Sequence, residues 1–330
     1  MATPKDFGFT EDISMLKDTF AKFLSEQKTI ENLRPSLKGT EDPYHGDQRS
    51  AFYDTQSWQQ TVELGIHAVS IPEDQGGIGM GLVAATAIAE EIGRYALATP
   101  LTNTLLATFL LRAIDSPEGN ALLEAMAGGT RVGIALYGED ASLEGDSTDV
   151  RVEDGKLQGQ SWYVTDAQKS EILIVAAESA EGVDLYRVDC QSANVRVLDD
   201  RIVDLTRDQA RIQFDGAEAQ ALTTGGRGLL SFQKALPALL TLTAADIAGA
   251  AEWQLQTTAE YAKVRSQFDR PIGFFQAVKH PIVDMMITAD ETRSLVYQAA
   301  AAFDFEPEDA ARCAHLAKSS ASDTAEFCAN

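Results

Sequence analysis

The hydrophobic period of this chain changes twice, so any fold it adopts must accommodate helix, then sheet, then helix. Residues 11–28 carry Ile13, Leu16, Phe20, Phe23 and Leu24 at helical spacing, and residues 57–64 continue in the same way. Pro and Gly interrupt the helices in IPEDQGGIGMG, residues 71–81, and the helical pattern resumes over 82–94, 103–114 and 119–127. Gly128 and Gly129 mark the first change. VGIALY (132–137) is a short apolar run, VRVEDGKLQGQSWYV (150–164) reads as an alternating hairpin with Asp154 and Gly155 at its tip, and ILIVAA (172–177) reads as a fully buried strand. VDLYRVD, VRVLD and ARIQFDG follow at short spacing, the pattern of a small barrel or sandwich. From Gly228 the helical period returns. Two long helices are predicted over 229–266 and 274–303, separated by a break at Pro271 and Gly273, and a third begins near Glu306 and is still running at Asn330.

At 330 residues the chain is long for one core, and its 45% hydrophobic content is enough to bury two or three packed units. The pattern predicts an α+β protein: an N-terminal helical domain over 1–129, a small β-barrel or sandwich domain over 130–216, and a C-terminal antiparallel helical bundle over 217–330, incomplete at its end. No apolar run approaches a membrane span; the longest candidate, 236–251, contains Pro237, Thr241, Thr243 and Asp246. The first residues lack the basic and apolar regions of a secretory signal, so a cytoplasmic location is expected. A net charge of −23 argues against nucleic acid and anionic membranes as partners. A polyanionic ligand would therefore need local donors. Cys190, Cys313 and Cys328 are odd in number and show no CxxC spacing, which fits free thiols in a reducing compartment. His45, His67, His280 and His315 have no metal-ligand spacing, and no metal is expected.

The most specific segment is EYAKVRSQFDRPIGFFQAVKH, residues 260–280. With LGIHAVSIPEDQGGIGMG (64–81), AEEIGR (89–94) and the stretch 160–177, it resembles the acyl-CoA dehydrogenase family over nearly the whole chain, from about residue 10 to residue 330. Arg265 stands at the end of a predicted helix before a tight turn, where a planar guanidinium can pair bidentately with a pyrophosphate. Gln267 and Gln276 can donate hydrogen bonds, and Phe268 can pack on an adenine or ribose. The resemblance implies that Arg265, Gln267, Phe268 and Gln276 contact the FAD of a neighbouring subunit. The residues alone also allow an Arg265 that caps its helix and pairs with an acid. Tyr163 and Thr165 stand where the family has Trp and Thr in the strand behind the flavin ring. This implies a flavin contact near its reactive nitrogen, although alternating residues of an ordinary strand would look the same.

The chain also departs from the family. The first flavin loop, approximately TEPxxGSD in the family, is matched by ALYGEDASLEGD (135–146), where Tyr137 replaces a small hydroxyl residue. The helix that binds CoA is matched by ALPALL (235–240), which offers no charge; Pro237 and Leu240 take the polar positions. One family position for the carboxylate base that removes the α-proton holds Leu239. The other follows a QxxGG segment that would lie beyond Asn330. Glu252 and Glu260 are out of register, so the catalytic residue is unknown.

Contacts to a neighbour's site are kept while this chain's own ring and CoA residues are lost. That pattern resembles one subunit of the heteromeric, steroid-type bacterial enzymes. The resemblance implies an FAD-dependent acyl-CoA dehydrogenase, desaturating an acyl-CoA thioester, with a paralogous subunit as partner in a heterotetramer. An electron-transferring flavoprotein is the implied acceptor. The apolar pocket helix would suit a sterol-like acyl chain, although core packing explains the same residues. Two alternatives stand beside this: a complete homomeric dehydrogenase with a truncated C-terminus, and a non-catalytic scaffold paralogue.

Overall fold

The computed structural model describes residues 4, 6–27, 53, 55–142, 147–204 and 206–330. His45, residues 143–146 of the loop compared with TEPxxGSD, and residues 1–3 and 5 of the N-terminal segment lie outside them. The described helices before the sheet are α1 Glu11–Gln27, α2 Thr55–Glu63, α3 Leu82–Arg94, α4 Leu101–Ile114 and α5 Pro117–Ala127. The strands follow as β1 Val132–Ala135, β2 Val150–Glu153, β3 Lys156–Thr165, β4 Ile172–Ser179, β5 Gly182–Asp189, β6 Val195–Asp199, β7 Gln209–Glu218 and β8 Gln220–Ala221. Then come α6 Arg227–Val264, the short strands β9 Ser266–Gln267 and β10 Arg270–Pro271, α7 Gln276–Phe305 and α8 Pro307–Ala329. The helix–sheet–helix order is the one the periodicity predicts. At α5 the true start is two residues earlier than expected: Ser116 accepts a hydrogen bond from the Gly119 N–H at 3.1 Å, and Pro117 takes the first helical position.

The chain packs as two units. One consists of Met1–Thr29, Gly81–Leu97 and Pro237–Asn330. In it α3 packs on α1 and α7, and α7 pairs with α8. Gly93 and Gly249 let α3 and α6 cross closely: a Cβ on Gly249 would lie 1.8 Å from the Glu90 carbonyl oxygen, and one on Gly93 1.7 Å from that of Asp246. The first turn of α3 is capped from α7, where the Asp304 carboxylate accepts from Leu82 N at 2.9 Å and Val83 N at 3.0 Å. A buried polar cluster fixes the bundle. Glu90 accepts from the Lys17 ammonium, from the Tyr297 hydroxyl at 2.6 Å and from Arg293 Nε at 3.0 Å. Burial pushes the Glu90 carboxyl up, but Lys17 and Arg293 outweigh it, and the carboxyl lies below its ordinary value.

α6 runs through Pro237, as the helix predicted over 229–266 does. It corrects a different expectation, that no apolar run approaches a membrane span: by length and composition it is apolar enough to cross one. Of that apolar window 61% is buried inside the protein, as in a core helix.

The other unit consists of Ile30–Met80 and Ala98–Leu236. The barrel-or-sandwich expectation resolves into one eight-stranded mixed sheet, ordered β6-β7-β3-β2-β4-β5-β8, with β1 pairing β4 in parallel. Its core includes Leu157, Val164, Leu173, Val175, Ile212 and Phe214. The β2–β3 hairpin turns at Asp154 and Gly155, with φ of 49° and 78°, the paired left-handed geometry of a two-residue turn.

Candidate cofactor-binding site

The segment 260–280 forms a compact projection between α6 and α7. Ser266–Gln267 and Arg270–Pro271 pair antiparallel, leaving Phe268 and Asp269 as a two-residue loop. Both loop residues are left-handed, with φ of 53° and 58°, where Asn-Gly would be the relaxed choice. The turn is held by Ile272 N donating to the Arg265 carbonyl at 2.8 Å and by Phe268 meeting Phe275 edge-on at 6.0 Å. Arg270 stacks on Phe274 at 4.3 Å. Despite these ties Phe268 is 85% exposed.

The polar groups of this projection point outward without partners. Arg265, Gln267 and Gln276 are exposed, and among the described residues none of their side chains has a hydrogen-bond or ion-pair partner. Lys263, by contrast, pairs with Glu260. Lys263, Arg265, Arg270 and Lys279 outnumber Glu260 and Asp269, so the segment is +2 within a chain of net charge −23. It therefore supplies the local donors that an anionic ligand would require.

Tyr163 and Thr165 belong to the other unit, on the bulged end of β3. The register with β7 shifts between Ser161 and Val164, and Tyr163 takes a φ of 56°. Its hydroxyl donates to the Glu139 carbonyl at 2.9 Å. The Thr165 hydroxyl lies 2.9 Å from Asn103 Nδ2 and 3.3 Å from Asn103 Oδ1. Asn103 is 1% exposed on α4, and its amide also reaches the Thr165 carbonyl at 2.8 Å and Asp166 Oδ2 at 3.0 Å. Beyond it, Asp166 pairs with buried Lys169 at 2.7 Å, and Asp208 lies 3.7 Å from the same ammonium. Burial raises the Asp208 carboxyl to about 6; Lys169 opposes the rise and Asp166 adds to it.

The loop after β1 is likewise tied to itself. Glu139 N donates to Asp149 Oδ2 at 2.8 Å, Ala141 N to the Gly138 carbonyl at 3.1 Å, and Ser142 N to Asp140 Oδ1 at 3.3 Å. Tyr137, whose carbonyl accepts from Trp162 N at 2.9 Å, meets Phe232 edge-on at 6.4 Å. Sequence reasoning missed Asn103, Glu139 and Asp149. Asn103 carried a signal: an amide inside the apolar helix LTNTLLATFLLRAI must find partners when buried.

Comparison with known proteins decides the family. Residues 10–129 match the model of the acyl-CoA dehydrogenase N-terminal domain, and residues 226–330 that of the C-terminal domain. The acyl-CoA dehydrogenase IpdE2 of Mycobacterium tuberculosis is 31% identical over 290 residues, which is 88% of this chain and 76% of the relative. The chain belongs to the acyl-CoA dehydrogenase family. Among solved structures of this fold, the Tcur3481-Tcur3483 steroid ACAD aligns with a TM-score of 0.83 at 25% identity, covering 96% of this chain and 84% of that one. The ChsE4-ChsE5 complex from Mycobacterium tuberculosis aligns with a TM-score of 0.77 at 24% identity, covering 98% and 88%.

The cofactor of acyl-CoA dehydrogenases is FAD. The projection at 265–276 fits such a group, since it presents a guanidinium and two carboxamides with no competing partner. On β3 the Tyr163 and Thr165 hydroxyls each have a protein partner, but both side chains are exposed and each hydroxyl keeps further hydrogen-bonding capacity. On α6, Leu239 and Leu240 are buried core residues, and no charged side chain lies between positions 235 and 240. Glu252 accepts from Gln256, and Glu260 is paired with Lys263, so both act as local helix carboxylates. The three cysteines are unpaired. Burial, with Asp189 adding, holds the Cys190 thiol up at about 12, which removes it as a nucleophile.

Proposed function

We propose that this chain is one subunit of a heteromeric FAD-dependent acyl-CoA dehydrogenase that desaturates an acyl-CoA thioester between its α and β carbons. The observation that carries this reading is the unpartnered donor set of Arg265, Gln267 and Gln276 on a basic projection. In this reading Arg265 pairs with the pyrophosphate of a flavin held mainly by a paralogous subunit. Gln267 and Gln276 donate to the same dinucleotide, and Phe268 covers its adenosine end. The flavin, when bound, supplies the hydride acceptor; this chain binds and orients it. The partner provides the carboxylate base and the thioester pocket, because Leu239 and the uncharged 235–240 stretch offer neither.

Relatives support the assembly and the substrate class. The similar solved structures include a steroid ACAD named for two chains and a two-chain complex, ChsE4-ChsE5. A bulky sterol-derived acyl chain, a heterotetramer and an electron-transferring flavoprotein as acceptor complete the proposal. Unpaired cysteines accord with a cytoplasmic setting.

The test is co-purification with the paralogous chain, followed by FAD determination. One flavin per two chains is expected. Arg265→Ala should weaken flavin retention roughly tenfold or more, the effect of losing a charged bidentate contact. Full flavin occupancy in that variant would reject the assignment of the projection.

A further inference from the structure

Within one of the two units, the N-terminal turn at residues 6–9 packs beside α7 and leaves a cleft of about 500 Å³. The turn is shaped for that approach. Phe7 N donates to the Pro4 carbonyl and Phe9 N to the Asp6 carbonyl, each at 3.0 Å, and Asp6 Oδ1 accepts from Gly8 N at 3.0 Å. Phe7 and Gly8 are left-handed, with φ of 57° and 74°. A Cβ on Gly8 would lie 2.6 Å from the Phe305 ring, so a larger residue there would push the turn away from α7. Phe7 and Phe9 therefore line the cleft from the turn and Tyr297 lines it from the helix, with Phe9 meeting Tyr297 edge-on at 5.4 Å.

The polar groups of the cleft are unequally engaged. Arg293 holds Glu90 through Nε at 3.0 Å and lies over the Tyr297 ring at 5.8 Å, and the Tyr297 hydroxyl donates to Glu90 at 2.6 Å. The carboxylate of Asp290, by contrast, has no hydrogen-bond or ion-pair partner among the described residues, and Asp6 is bonded through Oδ1 alone. Two carboxylates with free oxygens beside two phenyl rings attract a cation, and the net charge of −23 works in the same direction. Among the described residues no group of three His, Cys, Asp or Glu could hold a metal ion, and a hard cation demands more oxygen ligands than two side chains supply. Phenyl faces instead favour an organic cation, whose charge meets the ring quadrupole while its carbon is covered. The volume suits a whole small molecule.

We propose that this cleft binds a small free alkylammonium compound, its charge facing Asp290 and Asp6 and its alkyl groups lying against Phe7 and Phe9. None of these residues belongs to the projection at 265–276, so the proposal stands or falls independently of the flavin assignment.

The probe is choline, titrated into the purified full chain at constant ionic strength with sodium chloride as the blank. Saturation-transfer NMR of the choline methyl protons and calorimetry read the binding. A Kd of roughly 1–10 mM is expected from exposed ring and carboxylate contacts. Asp290→Asn should weaken binding about threefold and Phe9→Leu about fivefold. Phe9→Leu keeps every charge, so its effect separates the cleft from the general attraction of an acidic chain for cations. Phe7→Leu takes its place if thermal melting shows that Phe9→Leu has unfolded. Absence of saturation transfer up to about 50 mM choline overturns the proposal. Binding of parental strength in the phenylalanine variant or in Asp290→Asn overturns it as well.

Discussion

The α6–α7 projection and the bulged end of β3 both carry residues that match the family's flavin contacts, yet they are in opposite states. On the projection, Arg265, Gln267 and Gln276 are exposed and unpartnered, and two left-handed residues hold the turn outward. On β3, Tyr163 is also left-handed, but its hydroxyl is anchored on Glu139, and Thr165 is anchored on Asn103. Backbone strain is thus present at both places and does not separate them. What separates them is whether polar groups have been left free. A hydroxyl that has already found a protein partner offers a ligand only its remaining donor or acceptor capacity. Matching a motif at the level of residue type therefore says less than the partner each residue has found.

Three changes probe that contrast beyond the flavin assays. The largest effect is expected from Asn103→Ala. It leaves the Thr165 carbonyl and the Asp166 carboxylate short of a donor and should lower stability by about 2–3 kcal/mol, read by chemical denaturation. A loss below about 0.5 kcal/mol would mean that the β3 face is not held by this amide.

Asp208→Asn should act in the other direction. Asp208 and Asp166 share one buried Lys169, and the Asp208 carboxyl is raised to about 6. The folded state then holds that proton more tightly than the unfolded chain does. The contribution of Asp208 to stability is highest when it is protonated and declines as pH rises from about 4 to about 6. Asparagine removes the decline and should raise stability near pH 7 by roughly 1–2 kcal/mol. Denaturation curves at pH 4.5 and 7 that shift equally in parent and variant would contradict this.

The smallest effect is expected at the projection. Phe268→Ala should change the stability of the isolated chain by no more than about 0.5 kcal/mol, because the ring is 85% exposed. A larger change would show that the projection is part of the core and not a surface prepared for a partner.

Much of the fold was legible because periodicity reports burial directly. The bounds predicted for α3 coincide with those observed, and the Asp154–Gly155 tip appears where the turn chemistry places it. Errors arose where local cues compete. The expected start at Gly119 lies two residues inside the helix, whose cap is Ser116 and whose first position is Pro117. Pro237, Thr241, Thr243 and Asp246 were weighed against an apolar span over 236–251, whereas the helix predicted through them is apolar enough overall to count as one.

The candidate site was legible only in part. Arg265, Gln267, Phe268 and Gln276 are close in sequence, and their spacing around Pro271 and Gly273 was enough to bring them to one turn. For Tyr163 and Thr165 a flavin contact was only what the resemblance implied, and alternating residues of an ordinary strand would look the same.

The sequence by itself determined the family, the order of helix, sheet and helix, and the residues of the projection, because periodicity and short-range turn chemistry act between near neighbours. Only the tertiary structure decided which polar groups remain free. Asn103 lies 62 residues from Thr165, and Glu139 lies 24 residues from Tyr163. Partners so distant are chosen by how the helix and the sheet pack, and no local pattern in the chain records that choice.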